Sequence, residues 1–363
     1  HTRYISVTGV QTCALPISKS TPLHHAATMY QRLSRTAITH RVAPTQYRCR
    51  IGVLHTFDLA LLRNGSNDPT TRVEFVGDDA VIRRATLTPL GPGTIVFRAP
   101  LRLVSGSPLD SQTTPAPRVL QLHGPGADWL AARISHMAAQ RDDTATQLTS
   151  TIAKYPHPVL QQAARRLGVL WLPRTDTPYH ELLPAILGQR ITAAQALAQW
   201  AGLCRRYGEP APGNLGLHLP PTPEQLRAIS SWQFHQMGIE QQRARTLHTV
   251  ARHAAYVDRT RDVTGPQARA ALMKLPGIGV WTAAVAVGVS HGDPDALPIG
   301  DFHVKNTVSW ALRGAARGSD DEMVEALTPF AGHRWRVVRL LERSGTSAPK
   351  FGPKRRLLDV ARL

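Results

Sequence analysis

The chain has 363 residues, 42% of them hydrophobic, with 43 Lys and Arg against 25 Asp and Glu and a formal net charge of +18. Disorder throughout is excluded, and the length exceeds one typical core, so two domains are expected. No run of about 18 apolar residues exists to span a membrane as a helix, and Cys13, Cys49 and Cys204 form no CxxC pair or Cys/His cluster for zinc or an iron–sulfur centre. The basic excess suits a polyanionic partner, since each neutralised phosphate releases counterions. An acidic membrane surface or a merely arginine-rich composition are the alternatives.

Residues 1–20 read as a non-native or disordered extension. They lack the basic start and apolar run of a signal peptide, and also the Arg/Ala/Leu character of the rest. Segment 45–150 reads as a small antiparallel α/β domain. Runs 72–76, 80–86 and 93–98 partly alternate, and Asn64-Gly65 and Gly77-Asp78-Asp79 supply turns. Residues 106–117 read as a polar loop and 127–139 as helix. From 156 to 344 the periodicity is helical throughout. Candidate helices cover 158–167, 179–187, 193–207, 223–230, 241–255, 266–275, 280–290, 302–313, 320–329 and 333–343. Thr222-Pro223-Glu224 places a cap before an N1 proline, and Ser319-Asp320-Asp321-Glu322 crowds acids into a first turn. Residues 345–363 read as a loose basic tail. The expected fold class is α+β: a small antiparallel α/β domain, then a larger all-helical one.

Leu275-Pro276-Gly277-Ile278-Gly279 joins two apolar helices. Proline ends the first helix, and glycines permit a sharp turn and close approach. The next helix then offers free N–H groups at its start, a ready phosphate site. Such a hairpin can grip a nucleic-acid backbone without reading sequence; an ordinary αα-corner fits the same five residues. Trp281 opens the second helix, and Asp301 follows 20 residues later, just before an amphipathic helix. Taken alone, Asp301 is an N-cap worth about 1 kcal/mol.

Leu275-Pro-Gly-Ile-Gly-Val-Trp-Thr-Ala283, followed by Leu297-Pro-Ile-Gly-Asp301, resembles the helix-hairpin-helix, Gly/Pro-Asp superfamily of base-excision DNA glycosylases, closest to the 3-methyladenine DNA glycosylase II type. Ala185-Ile-Leu-Gly-Gln-Arg-Ile191 looks like a further shared block, as does Asp320-Asp-Glu-Met with Pro329-Phe-Ala-Gly-His-Arg334. The resemblance implies Asp301 as the catalytic carboxylate, and Trp281, Val285 and His333 at the base pocket. It implies Leu275, Pro276, Gly277, Ile278, Gly279, Gln189, Arg190 and Thr282 at the DNA. No metal is implied beyond a monovalent Na+ or K+ at the hairpin carbonyls, and no iron–sulfur cluster. Val285 and His333 stand where the family often has aromatics, and Arg190 where a relative has an apolar wedge.

Trp281 occupies the position of the Schiff-base lysine in strand-cutting members, so base removal without backbone cleavage is expected. The implied enzyme is a monofunctional N-glycosylase acting on alkylated bases flipped out of double-stranded DNA. A monomer, free of membranes, in a bacterial cytoplasm at the nucleoid is expected. The alternatives are a non-catalytic DNA-binding or damage-sensing protein of the same fold, and a bifunctional glycosylase/lyase. Asp293 and Asp295 read as turn residues. His303 and Lys305 suit phosphate contact or solvation equally. Trp200, Trp232, Trp310 and Trp335 read as core.

Overall fold

The computed structural model describes residues 55–77, 79–100, 118–139 and 144–349. The extension at 1–20, the loop at 106–117, Cys13, Cys49 and tail residues 350–363 lie outside them.

Strand β1 (His55–Phe57) precedes an antiparallel sheet of β2 (Thr71–Val76), β3 (Asp79–Thr88), β4 (Gly91–Pro100) and β5 (Arg118–His123), in that spatial order. β5 escapes a period-two reading because its register slips opposite Val96 and Phe97. Its buried residues, Val119 and Leu122, are consequently three apart rather than two. Ile82, Ile95 and Phe97 share one face of the sheet and pack against Trp129, Leu130, Ile134 and Met137. Those last residues lie on two short helices, α1 (Ala127–Ala131) and α2 (Ile134–Met137), where one helix over 127–139 is expected. Arg133, at φ −110° and ψ 7°, breaks the helical path between them.

The helical body begins with α3 (Gln147–Lys154) and α4 (Pro158–Leu167). Strand β6 (Val169–Trp171) follows and pairs in parallel with β1, a three-residue departure from an all-helical region. Leu148 and Ile152 of α3 pack with Leu160, Val308 and Trp335, so this helix shares the core of the helical body rather than that of the sheet.

Next come α5 (Pro178–Leu187), α6 (Ala193–Tyr207), α7 (Pro223–Ala228), α8 (Ser231–Gln236), α9 (Gln241–Arg252) and α10 (Ala254–Arg259). They are followed by α11 (Gly265–Leu272), α12 (Val280–Ser290), α13 (Phe302–Arg313), α14 (Asp320–Leu327) and α15 (Arg334–Arg343). Two apolar cores result. One joins α5 to α12, and the other joins α3, α4 and β6 to α13, α14 and α15. Trp200 and Trp335 are core residues, whereas Trp232 and Trp310 are exposed. Both exposed rings sit on the outer faces of their helices, where a single apolar side chain is tolerated.

Polar residues continue the inner face of the sheet toward α5. Buried Arg84 pairs with buried Glu181 and also donates to Leu62 O at 2.9 Å and to Thr71 Oγ1 at 3.1 Å. His180, beside Glu181, meets Thr86 Oγ1 through Nδ1 at 2.8 Å and Thr70 Oγ1 through Nε2 at 3.3 Å. Burial, with the Arg84 charge adding to it, pushes the His180 imidazole well below its ordinary range. An unfolded chain would protonate this residue at about pH 6.5. The unfolded state therefore binds more protons below that pH, and stability falls on acidification while His180 stays neutral in the fold. The expected slope is about 1.4 kcal/mol per pH unit. His180→Gln should flatten the fall in Tm between pH 6.5 and 5, measured by calorimetry; an unchanged slope would assign the acid sensitivity to other groups.

Candidate active site

Helix α11 ends at Leu272, three residues before the expected end. Leu275 precedes a proline, a position that disfavours helical backbone, and its N–H bonds instead to Leu272 O at 3.0 Å. Gly277 has φ +88°. A Cβ there would lie 2.1 Å from Thr246 Oγ1, so only glycine lets the hairpin rest on α9. Gly279 is different: its φ is −96°, and a Cβ would meet open space. Leu275 and Ile278 are buried in the larger core, while Pro276, Gly277 and Gly279 are exposed. The hairpin thus turns its side chains inward and its backbone outward. No side chain caps α12, which leaves its first-turn N–H groups available to an anion.

Gln189 braces this hairpin. Its Nε2 donates to Gly277 O at 3.0 Å and to Thr282 Oγ1 at 2.9 Å. Thr282 is buried, so its hydroxyl serves the brace. Gly188 lies flush beneath Trp281: a Cβ there would stand 3.1 Å from the indole Cη2. Arg190 is exposed and holds φ +61°, a left-handed conformation that costs a non-glycine residue about 1 kcal/mol or more.

Asp301 is the N-cap of α13. Its Oδ1 accepts from the backbone N–H groups of His303 (2.8 Å) and Val304 (3.0 Å). Its Oδ2 accepts from Trp281 Nε1 at 2.9 Å. Trp281 belongs to a helix of one core and Asp301 caps a helix of the other. The site therefore lies on the seam between them.

The connecting loop, 291–300, is pinned along its length. Burial lowers the His291 pKa, and the neutral ring donates to Thr260 O at 2.7 Å. Asp293 pairs with Arg269. Asp295 takes the Arg334 guanidinium through both oxygens and also the N–H groups of Gly332 and Arg334. Burial opposes ionisation of Asp295, but the Arg334 hydrogen bonds outweigh it and hold the carboxyl below its ordinary range. Asp293 and Asp295 are thus spent on the loop itself.

The remaining sequence candidates sit further back. Val285 is half-buried and packs against the larger core. His333 is buried, and its Nδ1 pairs with Arg336 at 2.7 Å, inside a network that also holds Thr144. Thr246, Gly188 and Asp320 were not legible as site residues. Gly188 and Asp320 carry a sequence signal, as parts of the blocks that begin at Ala185 and at Asp320, and Thr246 carries none.

Residues 183–330 match the family described as HhH-GPD superfamily base excision DNA repair protein. The hairpin, Trp281 and the capped Asp301 all fall within that matched segment. A 138-residue stretch is 30% identical to the probable bifunctional transcriptional activator/DNA repair enzyme AlkA of Mycobacterium tuberculosis. That stretch covers 37% of this chain and 27% of the relative's length. The fold is similar to that of the 3-methyladenine DNA-glycosylase from Archaeoglobus fulgidus, with a TM-score of 0.61 at 18% identity, over 82% of this chain and 98% of that one. It is also similar to the Clostridium acetobutylicum 8-oxoguanine glycosylase/lyase, with a TM-score of 0.51 at 13% identity, over 76% and 98%.

Proposed function

We propose that the chain is a DNA glycosylase that hydrolyses the N-glycosidic bond of alkylated bases in duplex DNA and stops at the abasic site. The observation that carries this reading is the hydrogen bond from Trp281 to Asp301, beside a hairpin whose backbone faces outward. The name of the Archaeoglobus fulgidus neighbour, a 3-methyladenine DNA-glycosylase, supports an alkylated base, and that of the Mycobacterium tuberculosis relative supports DNA repair.

A glycosidic bond inside a duplex is out of reach, so the nucleotide must rotate out of the stack. The exposed hairpin and the start of α12 hold the flanking phosphates, with Arg190 projecting beside them. The departing base leaves cationic character on the sugar. A carboxylate about 4 Å away stabilises it by about 4 kcal/mol at an effective dielectric near 20, about a thousandfold in rate. The same carboxylate orients the attacking water. Alkylated purines already carry positive charge and favour an electron-rich wall, which the Trp281 indole supplies.

Position 281 offers no amine for a Schiff base, so the backbone should stay intact. A Na+ or K+ at the hairpin fits the carbonyls of Leu275 and Gly277, each of which keeps a second lone pair beside the hydrogen bond it accepts. Such an ion would help hold a phosphate, and no step of the reaction passes through it. We further propose that the protein acts as a monomer at the nucleoid.

The test is a duplex carrying one 3-methyladenine or hypoxanthine. Base release should leave a site that breaks only with alkali, and borohydride should trap no covalent complex. Nicking without alkali, together with a trapped adduct, would overturn the monofunctional assignment. Tight binding with no base release from any alkylated duplex would favour a damage-sensing protein instead.

A further inference from the structure

Gly300 is the last residue before Asp301 and lies in the left-handed region, at φ +93°. Its N–H donates to Asp320 Oδ1 at 2.9 Å, across 20 residues of sequence. The other oxygen of Asp320 takes Lys305 Nζ at 3.2 Å. Lys305 lies four residues beyond Asp301, where side chains along a helix are neighbours. Asp320 is the first residue of α14, but Ser319 already caps that helix through a complete capping box. The Asp320 carboxylate is therefore not needed as the cap of its own helix, and its two oxygens go to the turn and helix that carry Asp301.

We infer that Asp320 is a positioning residue for Asp301. It locks the Gly300–Asp301 turn in the geometry that sends one Asp301 oxygen to the helix cap and the other to Trp281. Its other oxygen ties the same turn to α13 through Lys305. The inference rests on Asp301 being the reacting carboxylate of the proposed function.

A backbone N–H held by a carboxylate is among the stronger hydrogen bonds. Without that acceptor, Gly300 regains the wide conformational range of a glycine. A displacement of about 1 Å at a reacting group costs on the order of a hundredfold in rate.

The experiment uses the full chain, with D320A and D320N, and two readouts. Hydrogen exchange at the Gly300 amide reports the turn. Single-turnover base release from a 3-methyladenine duplex reports the chemistry. D320A should exchange at least about tenfold faster at Gly300 and lose about ten- to a hundredfold in base release, with duplex Kd changed less than about twofold. D320N keeps an acceptor oxygen for Gly300 and should recover the exchange protection and most of the rate. If D320A does not fold, D320S, whose side chain suits a helix start but is too short to reach Gly300, takes its place. Wild-type exchange or wild-type base release in D320A would overturn the inference. Wild-type protein that releases no base would overturn the proposed function alone, and Gly300 exchange would still decide the Asp320 contact.

Discussion

Asp301→Asn should lower single-turnover base release by about a thousandfold while leaving duplex binding and Tm nearly unchanged. The two Asp301 oxygens do separate jobs, and the substitution divides them. Oδ1 caps α13 through His303 and Val304. Asparagine is as good an N-cap as aspartate, so its amide oxygen can keep that role and the fold should hold. The other terminus then becomes an NH2 group facing the Trp281 N–H. Two donors meet, and that hydrogen bond is lost, at about 1 kcal/mol. The negative charge is lost too, and with it the larger stabilisation of the sugar cation. Trp281→Phe separates these effects, because it removes the donor and keeps both an aromatic wall and the charge. Its expected loss is about tenfold, far short of Asp301→Asn. An Asp301→Asn protein that releases base at the wild-type rate would remove Asp301 from the chemistry.

Glu181→Ala should destabilise the protein by about 3–5 kcal/mol, the cost of leaving one member of a buried ion pair alone. Arg84 and Glu181 are both buried, on a sheet strand and on α5 respectively. Thr175 and Thr177 also donate to Glu181 Oε1, at 2.9 and 3.3 Å, and would lose their acceptor. At about 2.1 cal/mol/K of unfolding entropy per residue, each kcal/mol moves Tm of a chain this long by about 1–2 °C, so a fall of about 4–7 °C is expected in calorimetry. The paired replacement Arg84→Met with Glu181→Leu should cost much less, because no charge is then stranded. Equal losses in the single and double variants would show that packing, and not the uncompensated charge, carries the effect.

Elements with their own start and stop signals were legible residue by residue. Pro158–Leu167, Ala193–Tyr207, Val280–Ser290 and Phe302–Arg313 have the bounds their periodicity and flanking residues imply. The helix expected over 223–230 ends at Ala228, and an unexpected second helix, Ser231–Gln236, follows it, although Ser230 and Gln233 form a capping box that announces it. The helix expected over 241–255 breaks at His253 instead, at φ −107° and ψ 20°. β5 and β6 were not legible, because a register slip and a three-residue length erase their periodicity.

At the site, the hairpin and the spacing to Asp301 were visible as a linear pattern. The contacts that organise them were not. Gln189 reaches its partners across 88 and 93 residues, and Arg84 reaches Glu181 across 97. No local rule connects such positions; only the packing of α5 against α12 and the sheet does.

The pinned loop between α12 and α13 behaves as a ruler. His291, Asp293, Asp295 and Gly300 are each tied to a different neighbouring segment. A strand so anchored cannot absorb an added residue by bulging, as a free surface loop does. One insertion would shift either the cap of α13 or the registry of the anchors. The 20-residue interval from Trp281 to Asp301 is thus a fixed length, set by the span between two cores. It tells an engineer where not to lengthen this chain.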